Sequence, residues 1–251
     1  MKNTKAEIHI GTSGWSYKHW KNIFYPEGLK TTDWLGFYAQ FFNITELNTS
    51  FYHLPKPETT KGWAKKVPPG FMFCPKMSRY LTHMKKLNDP EESFAQFFEV
   101  FTPLKRKLGP VLIQLPPALR FHADKAEHVY KLCKKQYAYY KFAMEVRHAS
   151  WLEKESLDLM KKYNMAFVIA QSGTAFPYAE NITAQHIYVR FHGPQQLYAS
   201  SYSEEQLQNF ATLFKQWKNE GHSIWVFFNN DVFGYAFENA KRLIQLCGEG
   251  N

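Results

Sequence analysis

Charged and polar residues recur two apart where short apolar runs end: Glu46 with Asn48, Cys74 with Lys76, Glu145 with Arg147, Arg190 with His192, and Asn229 with Asp231. A step of two places both side chains of a pair on one face of an extended strand. Gln114 closes a further run of the same kind. Arg and Lys in such a set would hold a phosphate or carboxylate, Arg bidentately, while Asn and Gln would orient hydroxyls. Glu145 is the candidate acid/base, provided that burial and neighbours tune it. His192, adjustable near neutrality, and Asp231 would share the proton traffic. The assignment is therefore catalytic for Glu145, His192 and Asp231. It is substrate-binding for Glu46, Asn48, Lys76, Gln114, Arg147, Arg190 and Asn229. The bland alternative is an internal salt-bridge network, Glu145 with Arg190 for example. Glu145→Gln is expected to abolish turnover with the melting temperature nearly unchanged.

Other chemistries have less support. Glu46, Glu145, His192 and Asp231 could converge on a metal, but no close His/carboxylate pair has the spacing of a zinc-protease helix. No cofactor is predicted, because no Gly-rich dinucleotide or phosphate fingerprint is present. A Ser–His–Asp assignment would be arbitrary without a nucleophile-elbow pattern. The loop 11–17 carries Gly11 and Gly14 beside Thr12, Ser13 and Ser16. It reads equally as a backbone approach to a ligand or as a tight turn packed by Trp15, Tyr17 and Trp20. Phe51, Tyr52 and Trp151 are candidates for the wall of the mouth.

The elements that must position these residues are apolar runs at 8–11, 44–48, 71–76, 111–115, 141–146, 166–170, 187–191 and 224–228. Each has strand length and the near-continuous apolar character of a parallel sheet. Amphipathic stretches alternate with them. Thr32 is a candidate N-cap ahead of Trp34, Leu35 and Tyr38. Asp89, Pro90 and Glu92 give a cap, a first-turn proline and a glutamate three residues on. Ser203 with Gln206 repeats the capping pattern, and Gly248 is a stop signal. Helices are also expected near 58–66, 125–136 and 152–163. Between 171 and 185 no helical period shows, so a loop or a degenerate helix is expected. Eight strands interleaved with helices predict a single (β/α)8 TIM-type barrel over 1–251, with strand C-terminal ends forming the functional face; the main alternative, an open doubly wound sheet, lacks its Gly-rich fingerprint.

The chain has 251 residues, 45% hydrophobic and 18% aromatic, which excludes a disordered chain. No run approaches the ~20 apolar residues of a membrane span. The stretch 1–7 is polar and lacks the apolar segment of a signal peptide. Cys74, Cys133 and Cys247 are odd in number and widely spaced, unlike a disulfide framework, so a cytoplasmic location is expected. The net charge of +9 invites an anionic partner, a nucleic acid included. Yet Lys65–Lys66, Lys105–Arg106–Lys107, Lys134–Lys135 and Lys161–Lys162 fall at predicted helix ends, where cations complement the helix dipole.

Several motifs carry a family resemblance: Gly11-Thr12-Ser13-Gly14-Trp15-Ser16-Tyr17, Phe24-Tyr25-Pro26, and Glu46-Leu47-Asn48-Thr49-Ser50-Phe51-Tyr52. Thr82-His83, Gln114-Leu115-Pro116-Pro117, Glu145-Val146-Arg147, Tyr188-Val189-Arg190-Phe191-His192-Gly193 and Phe228-Asn229-Asn230-Asp231 complete the set. In this order, over about 8–246, the chain resembles the YecE-like family, a domain of unknown function (number seventy-two). The resemblance implies a TIM-type barrel in a mostly bacterial, cytoplasmic family and places the ten residues above at the pocket. It supplies no reaction. Gln171 departs from the acidic residue expected after the sixth strand. By fold analogy alone the barrel is similar to sugar-isomerase-like and endonuclease-like barrels. The leading expectation is acid/base chemistry of hydrolase or isomerase type on a small anionic, sugar-phosphate-like substrate. The alternative is a non-catalytic nucleic-acid-binding barrel.

Overall fold

The β-branched and aromatic runs form eight parallel strands in the computed structural model, which describes residues 6–248. Residues 1–5 of the polar N-terminal stretch lie outside the described residues. The strands are β1 (Ile8–Thr12), β2 (Ile44–Leu47), β3 (Met72–Pro75), β4 (Val111–Gln114), β5 (Phe142–Glu145), β6 (Ala166–Gln171), β7 (His186–Phe191) and β8 (Ser223–Phe228). Their order is β3-β2-β1-β8-β7-β6-β5-β4. Parallel bridges Phe73–Leu108 and Lys76–Leu112 bring the two outer strands together, so the sheet curls into a nearly closed barrel of TIM type.

Helices cover the outside: α1 (Trp34–Tyr38), α2 (Thr49–Tyr52), α3 (Pro57–Lys66), α4 (Pro90–Phe101), α5 (Ala123–Gln136), α6 (Lys154–Tyr163), α7 (Glu204–Asn219) and α8 (Tyr235–Cys247). Residues 172–185 join β6 to β7 without a helix, as the missing period implies. Ser203 caps α7 with the full reciprocal box to Gln206, and Gly248 ends α8 at φ 72°. Two expected caps are not made. Thr32 lies in a 3-10 turn and turns its hydroxyl to the Asp33 carboxylate, 3.4 Å away. Asp89 precedes Pro90 at φ 41°, and its side chain caps no amide. Among the described residues no helix is long and apolar enough to cross a membrane.

Alternation along the strands divides the interior into two apolar layers. Ile8, Ile10, Phe73, Val111, Met144, Phe167, Val189 and Val226 face the helices within the larger core. Ile44, Cys74, Leu112, Ala143, Val168, Tyr188, Trp225 and Phe227 fill the barrel itself. The next inward positions toward the C-terminal ends are Glu46, Lys76, Gln114, Glu145 and Arg190, all buried. An apolar plug thus carries a polar tier on top of it. Gly11 permits the close approach of β1 to β2, since a Cβ there would collide with the Ile44 backbone carbonyl.

Candidate active site at the strand ends

Arg190, only 1% exposed, spans the barrel at the centre of the polar tier. Its Nη2 and Nε donate to the Glu46 carboxylate at 2.6 and 3.0 Å, and its Nη1 donates to Glu145 Oε2 at 2.6 Å. Tyr188 donates to Glu46 Oε2 at 2.8 Å. Arg147 gives Nε and Nη2 to Glu145 Oε1 at 3.1 and 2.9 Å. Its guanidinium stacks 3.9 Å from the centre of the Phe176 ring, on the loop after β6. Burial pushes the Glu145 carboxyl up, but the adjacent Arg190 and Arg147 guanidiniums outweigh it and hold the group well below the usual carboxylate range. Glu145 is therefore a standing anion at neutral pH. Its proton is not available to move.

Lys76 extends from the end of β3 beside this network. Its Nζ donates to Gln114 Oε1 at 2.6 Å and lies 4.1 Å from the centre of the Phe51 ring. Gln114 is fixed by its own amide, which donates to the Leu115 carbonyl at 3.0 Å and so turns Oε1 toward the lysine. Burial, with Arg190 close by, pulls the Lys76 ammonium down to about 7. His83, on the turn after β3, packs edge-on to Phe51 at 5.0 Å. Burial and the field of Lys76, Arg147 and Arg79 lower its imidazole to about 4. The mouth therefore presents a neutral imidazole and an amine poised between its two forms, set among permanent guanidinium charges.

His192 is fully buried, with its Nδ1 3.1 Å from the Asn229 amide nitrogen. That contact leaves the proton on Nε2, which faces Glu145 Oε1 at 3.7 Å and has no hydrogen-bond partner among the described residues. Burial and Arg190 depress its pKa, so the ring is neutral. Asp231 takes no part in these bonds and so does not join Glu46 and Glu145 as its sequence position suggests. Its carboxylate lies 3.7 Å from His19, its backbone carbonyl accepts from His19 and Trp20, and burial raises its pKa. Asn48 leaves the tier as well, donating to the Ser13 carbonyl at 3.2 Å. Gln171 bonds the Tyr202 hydroxyl at 2.5 Å on the outer side of β6, away from Glu145. Trp151 is core, with Nε1 donating to the Leu119 carbonyl.

Eight of the ten expected residues thus gather in one polar tier: Glu46, Lys76, Gln114, Glu145, Arg147, Arg190, His192 and Asn229. His83 also stands at the mouth, packed on Phe51, with Arg79 near enough to lower its pKa. The Thr82-His83 motif was the available signal for it. The expected metal donors do not meet as a set. Among the described residues no three His, Cys, Asp or Glu side chains group as ligands, and the oxygens of Glu46 and Glu145 are occupied by arginines.

A family model described as protein of unknown function DUF72 matches residues 9–251. The chain belongs to the DUF72 family. DUF72 carries no assigned activity in that description. The chain is similar to the UPF0759 protein YunF of Bacillus subtilis strain 168, 26% identical over 269 residues, with 95% of this chain and 94% of that protein covered. The UPF0759 protein YecE of Escherichia coli K12 is 28% identical over 147 residues, which cover 59% of this chain and 51% of YecE. Among solved structures, the DUF72 protein TM1631 of Thermotoga maritima MSB8 has a TM-score of 0.85 at 30% identity, covering 97% of this chain and 100% of that one. A DUF72 protein of Enterococcus faecalis V583 shares the fold at TM-score 0.81 and 21% identity, covering 97% of this chain and 96% of that one.

Proposed function

We propose that this DUF72 protein is an enzyme that binds a small anionic, sugar-phosphate-like substrate at the C-terminal mouth of its barrel and moves a proton on it. Hydrolysis and isomerisation are both reactions of that kind. The reading rests on Lys76, an amine that titrates near neutrality at a barrel strand end, between a fixing amide and an aromatic face. Arg147 and Arg79 supply the positive field that attracts the anion. Lys76 takes up or delivers the proton, with neutral His192 as the second group. Glu46, Glu145 and Arg190 form the rigid floor, and Glu145 acts as a fixed countercharge in place of the acid/base its sequence position suggests. Asp231 receives no role in proton transfer.

Acylation of the intact protein with acetic anhydride at pH 7, read by peptide mass spectrometry, tests this. About half of Lys76 is free amine at that pH, against roughly one in a few thousand for an ordinary lysine. Lys76 should be acetylated ahead of the helix-end lysines, and inorganic phosphate should protect it selectively. A Lys76 no more reactive than Lys134 or Lys161, or one indifferent to phosphate, would remove the basis of the reading.

A further inference from the structure

Two aromatic rings enclose the imidazole of His192. Phe176, on the connection from β6 to β7, meets it edge-on with 6.1 Å between ring centres, and Tyr198, after β7, does so at 5.7 Å. His192 is 0% exposed, and its Nε2 finds no hydrogen-bond partner among the described residues. Phe176 also lies over the Arg147 guanidinium, whose Nε and Nη2 go to Glu145 while Nη1 makes no hydrogen bond among the described residues. With both rings in place no molecule touches the His192 nitrogen. One of them has to give way before this imidazole can meet a ligand.

Tyr198 is pinned. Its amide donates to the His192 carbonyl at 2.6 Å, and its own carbonyl accepts from the Val232 amide at 3.2 Å. These bonds hold it at φ 65°, a conformation that a tyrosine keeps only where its surroundings fix it.

Phe176 sits on a different kind of segment. Buried Ser172 and Thr183 anchor its ends, the Thr183 hydroxyl accepting from the Phe167 amide and donating to the Met165 carbonyl, each at 2.7 Å. Between these anchors the hydrogen bonds are local: the amides of Ala175 and Phe176 return to Ser172 at 3.2 Å, and Tyr178 bonds Glu180. Ala179 and Ile182, toward the far anchor, are its contacts with the apolar core. Gly173 starts the segment at φ 61°, where glycine alone is at ease, and a Cβ there would lie 3.1 Å from the Pro194 carbonyl oxygen. Among the described strands β6 alone is not followed by a helix. Connections longer than about 12 residues without secondary structure are uncommon in compact domains and often serve as active-site lids.

We infer that residues 173–182 are a lid, hinged at Gly173 and latched by Phe176 on Arg147, and that His192 meets solvent or a ligand only when this lid lifts. Opening breaks one cation–π contact and a few local bonds while the barrel stays intact. It uncovers the Arg147 guanidinium and the imidazole in one movement, so an anion site and a proton-carrying group become available together. The proton-transfer reading shares His192 with the lid, but the lid is measured without turnover and fails or stands on its own.

The Nε2 proton of His192 reports the lid, because an imidazole N–H open to water exchanges too fast to be seen by NMR. In the full chain carrying isotope-labelled histidine this proton should be visible, assigned by its loss in His192→Gln. Its exchange should be nearly independent of urea below the unfolding transition, since a local opening exposes little surface, whereas exchange of the Val226 amide should follow global unfolding. Gly173→Ala disfavours the closed backbone, and Phe176→Leu keeps an apolar cover but loses the cation–π latch. Each should speed exchange of the His192 proton by roughly tenfold, with the shallow urea dependence retained. The inference is overturned if the proton is unprotected in the parent, if its exchange carries the urea slope of Val226, or if either variant exchanges at the parent's rate.

Discussion

Lys76 and Glu145 are both buried in the polar tier, and their surroundings drive them in opposite electrical directions. Lys76 has a folded pKa of about 7, below the roughly 10.4 of an unfolded lysine. Between those values the unfolded chain holds more protons, so this group makes stability climb as pH rises, and below pH 7 its buried charge is a liability. Lys76→Met carries no charge in either state. Melting curves of the parent should therefore rise more steeply between pH 7 and 10 than those of the variant; parallel curves would show an ordinary ammonium at this position. Glu145 answers to three donors on two arginines, so Glu145→Gln leaves buried guanidinium charge uncompensated. The cost of breaking such a pair is about 3–5 kcal/mol. At about 2–4 °C per kcal/mol for a chain of this size, the melting temperature should fall by roughly 6–20 °C. That reverses the near-unchanged melting temperature expected from sequence, and a scanning calorimeter decides between them. Residue types and spacing were legible from the chain. The ionisation of Glu145 was not, because it is set by Arg190, 45 positions away.

Strand alternation made most of the site readable, and its two failures share one cause. A step of two keeps side chains on one face only while the backbone stays extended. Glu145 and Arg147, or Arg190 and His192, obey it because the chain runs straight past the strand end. β2 stops at Leu47, and Asn48 turns helical at φ −83° and ψ −19°, which swings its side chain toward Ser13. β8 stops at Phe228; Asn229 still bonds Phe191 across the ladder, but at Asp231 the chain folds back through a turn closed by Gly234. A parallel strand is easily seen in a sequence, but the residue where it bends is not. The same geometry separates Glu145 from Asp231 in the proposed reading. Asp231→Asn should leave the acetylation rate of Lys76 at pH 7 and its protection by phosphate as in the parent, since the side chain facing the Asp231 carboxylate is His19. A changed rate would bring Asp231 back into the mouth.

Across the whole barrel the positive charge divides between two faces. The lysine pairs ending α5 and α6 lie at helix C-termini, on the side away from the mouth, where they offset helix dipoles, whereas Lys66 at the end of α3 is turned to the Thr32 carbonyl. The cations of the proposed substrate site are fewer and sit at the strand ends, so the net charge of +9 says little by itself about that site. Closure of the sheet ties the site to the fold more directly. β3 and β4 join through isolated bridges, one made by Lys76 itself, with Gly109 donating to Phe73 and Met77 donating to Leu112 at 2.9 and 2.8 Å. The Lys76–Gln114 bond crosses this seam between side chains, whereas β7 and β8 share a register of six residue pairs. Local opening follows the thinnest pairing. Native-state hydrogen exchange should show Met77 and Gly109 less protected than Val189 and Val226. Gln114→Ala should accelerate Met77 and leave Val226 unchanged. Uniform protection would mean that the barrel opens as one unit, and the tuning of Lys76 would then have to come from burial and Arg190 alone, with no contribution from how tightly the seam is held.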